Sequence, residues 1–348
     1  MPEKKRVTIR DIAREAGVST ATISRYLNSP DLVDSNTADK IKDVISRFSY
    51  RPNRAAQSLK TGDNRSILLI VPDIANPVYG IMAKNIQILA NAEGYAITLY
   101  NTSESSDKEM EAIALATEMS ASGILFASID ATQSMLEAIR RSGIPAVSVS
   151  SYENRYFDFV HGVQGISTYL TTRYLLSLGH RCIALAGGVA GTVIACSRKT
   201  GYTKALDEAS VPLDKSLVFE MGFSDDAGYK AGKYFSTLRP LPTAICCAND
   251  LLAIGVIQAL KEAGVQVPGD VSVTGVDNIP YARALDPALT TVTNDSEKFA
   301  QAAITMLFDR INHTYSGGPR EVKIVHELVV RRSTAAPCPE RTEQEDRK

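Results

Sequence analysis

Apolar positions divide this chain into two unlike parts. Over the first sixty residues they recur at helical spacing: Ile9, Ile12, Ala13 and Ala16; then Ile23, Tyr26 and Leu27; then Ala38, Ile41, Val44, Ile45 and Phe48. Thr8 and Asp11 have the spacing of a capping box, so a helix is expected to begin near Ile9, and Gly17 can take the positive φ that ends it at a sharp turn. Ser19 caps the second helix, and a third starts at Ser35. From Ser66 the pattern changes to short apolar runs, SILLIV, AITLY, GILFA, PAVSV, CIALA, LVF, TAICC and VSVTG. They alternate with helical blocks such as 80–94, 107–122, 168–179, 225–238 and 250–264. That alternation predicts parallel sheets covered by helices on both faces. There are enough runs for two sheets, with the division placed near Tyr156–Gly162, and two such lobes create a cleft at the carboxyl ends of their strands.

The second helix keeps its apolar stripe narrow and leaves Thr20, Ala21, Thr22, Ser24, Arg25 and Asn28 outside. Short polar side chains let a helix backbone approach base edges in a major groove, and Arg or Asn can pair with a base bidentately. Ala13, Gly17 and Ile23 stand at the offsets of a helix-turn-helix. Charge agrees with this placement. Of the chain's 38 Lys/Arg and 39 Asp/Glu, 12 and 7 fall within residues 1–62, so the amino-terminal part is basic and the rest acidic. After Pro52, the stretch Asn53–Lys60 has good helix formers but is too short to be stable alone, so it is expected to fold on binding.

Other chemistries find little support. No apolar run approaches the roughly 20 residues of a membrane span, and no apolar h-region follows the basic start, so a cytoplasmic protein is expected. The five cysteines (Cys182, Cys196, Cys246, Cys247, Cys338) lack CxxC spacing and read as buried thiols. GGVAGT has no following GK[ST], no GxGxxG follows a strand, and GxSxG and HExxH are absent. His161, His180, His313 and His326 show no ligand spacing, and Asp225, Asp226, Asp250 and Asp277 come with no paired base. No cofactor, no metal and no enzymatic activity are expected.

VTIRDIAREAGVSTATISRYLN followed by YRPNRAAQSL resembles the headpiece and hinge of the LacI/GalR (lactose/galactose-type) repressor family. The resemblance continues through PDIANPVYG, LGHRCIALAGG, SRKTGYTKAL, GFSDDAGY, CANDLLAIGVIQAL and VPGDVSVTGVDNIPYARALDPALTTV. It implies a small all-α helix-turn-helix headpiece (1–52), a hinge helix (53–62), a two-lobed α/β core of the periplasmic-binding-protein kind (63–335) and a tail (336–348). It further implies a repressor that binds a near-palindromic operator in double-stranded DNA as a homodimer, under control of a small-molecule effector. The DNA-binding set would be Thr8, Ser19, Thr20, Ala21, Thr22, Ser24, Arg25 and Asn28, joined by Asn53, Arg54 and Ala56 in the hinge and by Leu59 as a minor-groove wedge. Thr20 and Ala21 occupy the positions that choose bases in the family.

By the same resemblance Arg198, Phe223, Asn249 and Asp277 line the effector cleft, with Tyr79 and Ser150. Plainer roles stay open: Asp277 as a turn anchor, Arg198 as a surface charge, Phe223 as a core ring. Ser150 stands where sugar-binding members often have a carboxylate, and Val163-Gln164 replaces an Asp-Asn dipeptide. Tyr79 aligns with an aromatic position of the purine-responsive member. A sugar is the favoured effector and a nucleobase or nucleoside the alternative. Of other classes, a transport-type binding protein or a sugar-processing enzyme would share the core fold. The closing AAPCPERTEQEDRK has two prolines and no apolar heptad, so a disordered tail and a dimer formed by the core are expected.

Overall fold

A computed structural model describes residues 7–50, 64–128, 132–149, 156–163 and 165–338. The chain forms two compact units, Met1–Asn64 and Arg65–Lys348. The hinge residues Asn53, Arg54, Ala56 and Leu59, and Ser150, lie outside the described residues. So does the tail from 339 onward.

In the first unit, α1 (Ile9–Ala16) opens on the expected capping box: the Asp11 N–H donates to the Thr8 hydroxyl and the Thr8 N–H to the Asp11 carboxylate. Gly17 ends the helix at φ 66°, and α2 (Thr20–Asn28) starts with Ser19 accepting the Thr22 N–H. The third helix, α3 (Ser35–Arg47), is capped by Asp34. Ile12, Ala13, Ile23, Ile41 and Val44 form the small core, closed by Val7, Ile9, Val18, Tyr26, Leu27, Ile45 and Tyr50. Arg47 reaches back to Glu15 at 2.9 Å and ties α3 to α1. Phe48, expected in this core, is instead exposed: the helix has ended at its own backbone cap, and the ring turns outward, 5.8 Å from the Arg47 guanidinium.

The second unit is two α/β lobes. Its first sheet is parallel throughout, in the order β11 (Glu321–Ile324), β5 (Asp158–Gly162), β4 (Ala146–Val149), β3 (Gly123–Phe126), β1 (Ser66–Val71), β2 (Ala96–Asn101). Alternate residues of β1 point to opposite faces. Ile67, Leu69 and Val71 meet α4 (Pro77–Ala92) and α11 (Ser296–Ile311), whereas Leu68 and Ile70 meet α5 (Ser106–Glu118) and α6 (Gln133–Ser142). The second sheet is parallel in the order β7 (Val218–Glu220), β6 (Ile183–Gly187), β8 (Ala244–Cys247), β9 (Ser272–Thr274). Cys246 packs with α7 (Ile166–Ser177) and α8 (Val193–Glu208), and Cys247 with α9 (Asp225–Thr237) and α10 (Asp250–Glu262). β10 (Thr291–Val292) and β12 (Leu328–Val329) form an antiparallel pair.

The lobes do not divide the chain once near Tyr156–Gly162, as the run of strands suggests. β5 completes the first sheet, and later α11 and β11 return to it, so the chain passes between lobes at about 162–166, 292–296 and 324–328. Asp158 explains why β5 is hard to see in sequence: it is a fully buried carboxylate within a strand, held by Arg310 at 2.7 Å and Arg320 at 2.7 Å. All five cysteines are free, but only Cys246 and Cys247 are buried; Cys196 and Cys338 are exposed, so burial of the thiols holds only in part. The core also runs past residue 335. Ala335 accepts from His180 Nε2 at 2.9 Å, and Pro337 packs against Gly179.

Candidate functional site

On the first unit, α2 presents Thr20, Ala21 and Arg25 to solvent, with Thr22 and Ser24 half-buried beside them. The hydroxyls of Ser19 and Thr22 share a 2.9 Å hydrogen bond, and that of Thr8 donates to Asp11 at 2.7 Å. Those three hydroxyls therefore hold the helix starts. Arg25 makes no side-chain hydrogen bond or ion pair among the described residues and is free to reach a partner.

In the second unit a cavity of about 360 Å³ lies between the lobes at the carboxyl ends of both sheets. Tyr79, Arg198, Phe223, Asn249 and Asp277 all line it. Their positions follow from local structure. Asp277 leaves β9 with φ 108° and Asn278 follows at φ 53°, a left-handed pair that turns the carboxylate into the cleft. Its Oδ1 stands 3.6 Å from Arg198 and accepts from Asn294 at 3.4 Å. Arg198 sits on α8 and also donates to the Ala248 carbonyl, and the Arg198 backbone carbonyl accepts from the Thr168 hydroxyl at 2.5 Å. The plain reading of Arg198 as a surface charge is thereby excluded.

Asn249 is more structural than expected. Its Oδ1 accepts the Leu252 N–H at 2.8 Å, capping α10, and its Nδ2 donates to the Phe223 carbonyl at 2.8 Å. It therefore aims Phe223 as much as it faces the cavity. The Phe223 ring lies over Gly188, where any Cβ would collide with it. The helix pair that carries both residues crosses on glycines: a Cβ on Gly255 would strike the Asp225 carbonyl and the Tyr229 amide, and one on Gly228 the Leu252 backbone.

Burial pushes the Asp277 carboxyl up, opposed by the Arg198 charge and by hydrogen bonds. Behind it Asp250, fully buried, is pushed up to about 8 by burial and then by Asp277. Thr291 donates to Asp250 at 2.6 Å and the Ile279 N–H at 2.8 Å. Burial and the neighbouring Asp277 thus disfavour charge on Asp250, while the Arg198 guanidinium favours it on Asp277. Sequence reasoning missed Asp73, Asn76, Glu104, Ser128, Asn294 and His326 in the lining. Most of these sit in crossovers and loops with no motif. Asn76 alone had a signal, as the cap of α4 before Pro77.

A helix-turn-helix unit together with a two-lobed core and an interlobe cavity defines a class of bacterial transcriptional regulators. Residues 8–53 match the family described as bacterial regulatory proteins, lacI family, and residues 172–334 match a periplasmic binding protein-like domain. The HTH-type transcriptional repressor PurR of Haemophilus influenzae is 31% identical over 94% of this chain and 98% of its own length; that of Pasteurella multocida is 32% identical over 94% and 98%. Among solved structures, the Lac repressor dimer bound to operator and an anti-inducer superposes with TM-score 0.85 at 25% identity, covering 95% of this chain and 100% of that one. A LacI family regulator from Enterococcus faecium with bound ribose gives TM-score 0.71 at 27% identity, covering 78% and 100%. The chain belongs to the lacI family of bacterial regulatory proteins. Among the described residues no helix is long and apolar enough to cross a membrane.

Proposed function

We propose that the protein is a repressor whose paired headpieces read a near-palindromic operator and whose cleft binds a carbohydrate effector that sets operator affinity. The observation that carries the effector reading is the Asp277–Arg198 pair beside the Phe223 ring. A carboxylate and a guanidinium together take up adjacent hydroxyls, as acceptor and donor, and an aromatic face packs on the apolar face of a sugar ring. The neighbour with bound ribose, and a second one, the transcriptional regulator CelR in complex with cellobiose, agree with this chemistry. The relatives named PurR favour a second reading, a purine nucleobase held by Tyr79 and Phe223. Thermal shift of the protein against sugars and nucleobases separates the two, since ligand at 100 times its Kd adds about 2.7 kcal/mol. Stabilisation by nucleobases and not by sugars would overturn the carbohydrate reading.

Two variants test the roles of the residues. Asp277→Ala is expected to abolish the effector's influence on operator binding while the effector-free protein still binds operator; an unchanged dose dependence would place the cleft elsewhere. Arg25→Ala is expected to weaken operator binding by about 1–3 kcal/mol and to relax choice at one base pair, read by titrating single-substituted operators. Equal loss on random duplex would make Arg25 a phosphate contact instead.

Dimerisation is assigned to the core. β2 lies at the end of its sheet, its sequence AITLYN carries no charge, and Leu99 on it is exposed. An uncharged edge strand of this kind is a ready surface for a second copy. Light scattering of Leu99→Lys checks it: a shift toward monomer is expected.

A further inference from the structure

We propose that Asp73 and Glu104 are specificity-determining residues of the cleft, which bar anionic effectors and favour an amine over a hydroxyl on the bound sugar. The proposal rests on the carbohydrate reading. Besides the Tyr79 phenol, the ionisable groups in the cavity wall are Asp73, Glu104, Asp277, Arg198 and His326, with no lysine among the described lining. Arg198 is committed to Asp277 and to the Ala248 carbonyl. Burial holds the His326 ring below its ordinary range and so favours its neutral form, with Nδ1 2.6 Å from the Thr293 carbonyl. Asp73 and Glu104 are thus left without a cation among the described residues. One Asp73 oxygen accepts the Ala75 N–H at 2.9 Å, and the Glu104 carboxylate accepts no hydrogen bond there.

Their placement is built, not incidental. Asn101 ties the two loops together: its Oδ1 accepts the Ile74 N–H at 2.7 Å and its Nδ2 donates to the Ser103 hydroxyl at 3.0 Å. Ser103 and Glu104 take left-handed backbone, φ 50° and 61°, and the Glu104 N–H donates to the Pro72 carbonyl at 3.2 Å. The Tyr79 hydroxyl registers the result. Burial pushes it up, followed by the charge of Asp277, with Glu104 and Asp73 adding and only Arg198 opposing. A phosphate brought beside the half-buried Asp73 and the exposed Glu104 meets like charges, whereas an ammonium offers three donors to the two carboxylates.

The test is calorimetric titration of the full chain with matched probes: glucose, glucosamine and glucose 6-phosphate, and the galactose equivalents. In at least one series the amine is expected to bind about tenfold or more tighter than the parent sugar, and the phosphate ester more weakly than it. In the double variant Asp73→Asn, Glu104→Gln the amine-to-parent ratio is expected to fall to about one; a general loss of binding or folding does not by itself move that ratio. A phosphate ester that binds as tightly as its parent, or a ratio unchanged by the double variant, overturns this proposal and leaves the carbohydrate reading standing. Silence of every sugar here and in the thermal-shift panel, ribose and cellobiose included, overturns both.

Discussion

Gly255→Ala is expected to destabilise the core by about 3 kcal/mol, the upper end for overpacking a tight site, because the added methyl meets backbone, not a side chain that can swing away. The Asp225 carbonyl, the Tyr229 amide and Gly228 all lie where that methyl would sit. α9 and α10 would have to separate, and they carry Phe223 before one amino terminus and Asn249 at the other. Effector response should therefore fall with stability. Urea unfolding followed by circular dichroism reads the first effect. Gly264→Ala is a useful contrast: that glycine has open space around it, so its cost comes from φ 74° alone. Equal costs at the two sites would show that the helix crossing is not the constraint.

Asp158→Ala is expected to cost about 3–5 kcal/mol, since it strips two guanidinium groups of one buried partner. Arg310 and Arg320 both reach this carboxylate, and the Arg320 backbone N–H adds a third tie at 2.8 Å. The interaction pins α11 and the approach to β11 onto β5, so it closes the first sheet. Its pH signature has a definite sign. Burial pushes the Asp158 carboxyl up, but hydrogen bonds from Arg310 and Arg320 outweigh it and hold the group below the usual carboxylate range. The stabilisation is then fully present above the unfolded carboxyl's range, near pH 4, and is lost as pH falls through the lower folded value. Wild type should lose stability steeply on that acid limb, and Asp158→Asn should show a shallower one. Parallel acid limbs would mean that this network does not titrate with folding.

The headpiece was legible in sequence because its determinants are local. A capping box spans four residues, a left-handed glycine ends one helix, and the apolar stripe of each helix repeats within two turns. Only Phe48 misled, one residue beyond the end of α3, where periodicity no longer dictates direction. Eight strands of the two sheets were legible for a related reason: strands covered on both faces are nearly continuous apolar runs. The four missed strands are the ones that lack this signature. β5 carries Asp158 and His161, β11 reads EVKI with half-exposed positions, and β10 and β12 are two residues each. Their existence depends on partners distant in sequence, such as Arg320 and Asp158.

The cleft divides in the same way. Tyr79, Arg198, Phe223, Asn249 and Asp277 were recognisable from motifs around them, and the structure gathers all five around one cavity. What no spacing could show is how their bonding capacity is already spent. Asn249 is engaged by Leu252 and Phe223, and Arg198 by Ala248, while the Glu104 carboxylate accepts no hydrogen bond among the described residues. Sequence by itself determined the helix-turn-helix and the alternation of strand and helix, because each follows from periodicity and capping within a few turns of chain, whereas the residues offered to a ligand came from the resemblance to the LacI/GalR family. Only the tertiary structure decided that the chain crosses between the lobes three times, that Asp250 is buried behind Asp277 and pushed up by it, and that Asp73 and Glu104 in the cavity wall have no cation beside them among the described residues. Burial and electrostatics depend on which distant segments meet, and those meetings are set by the packing of whole sheets.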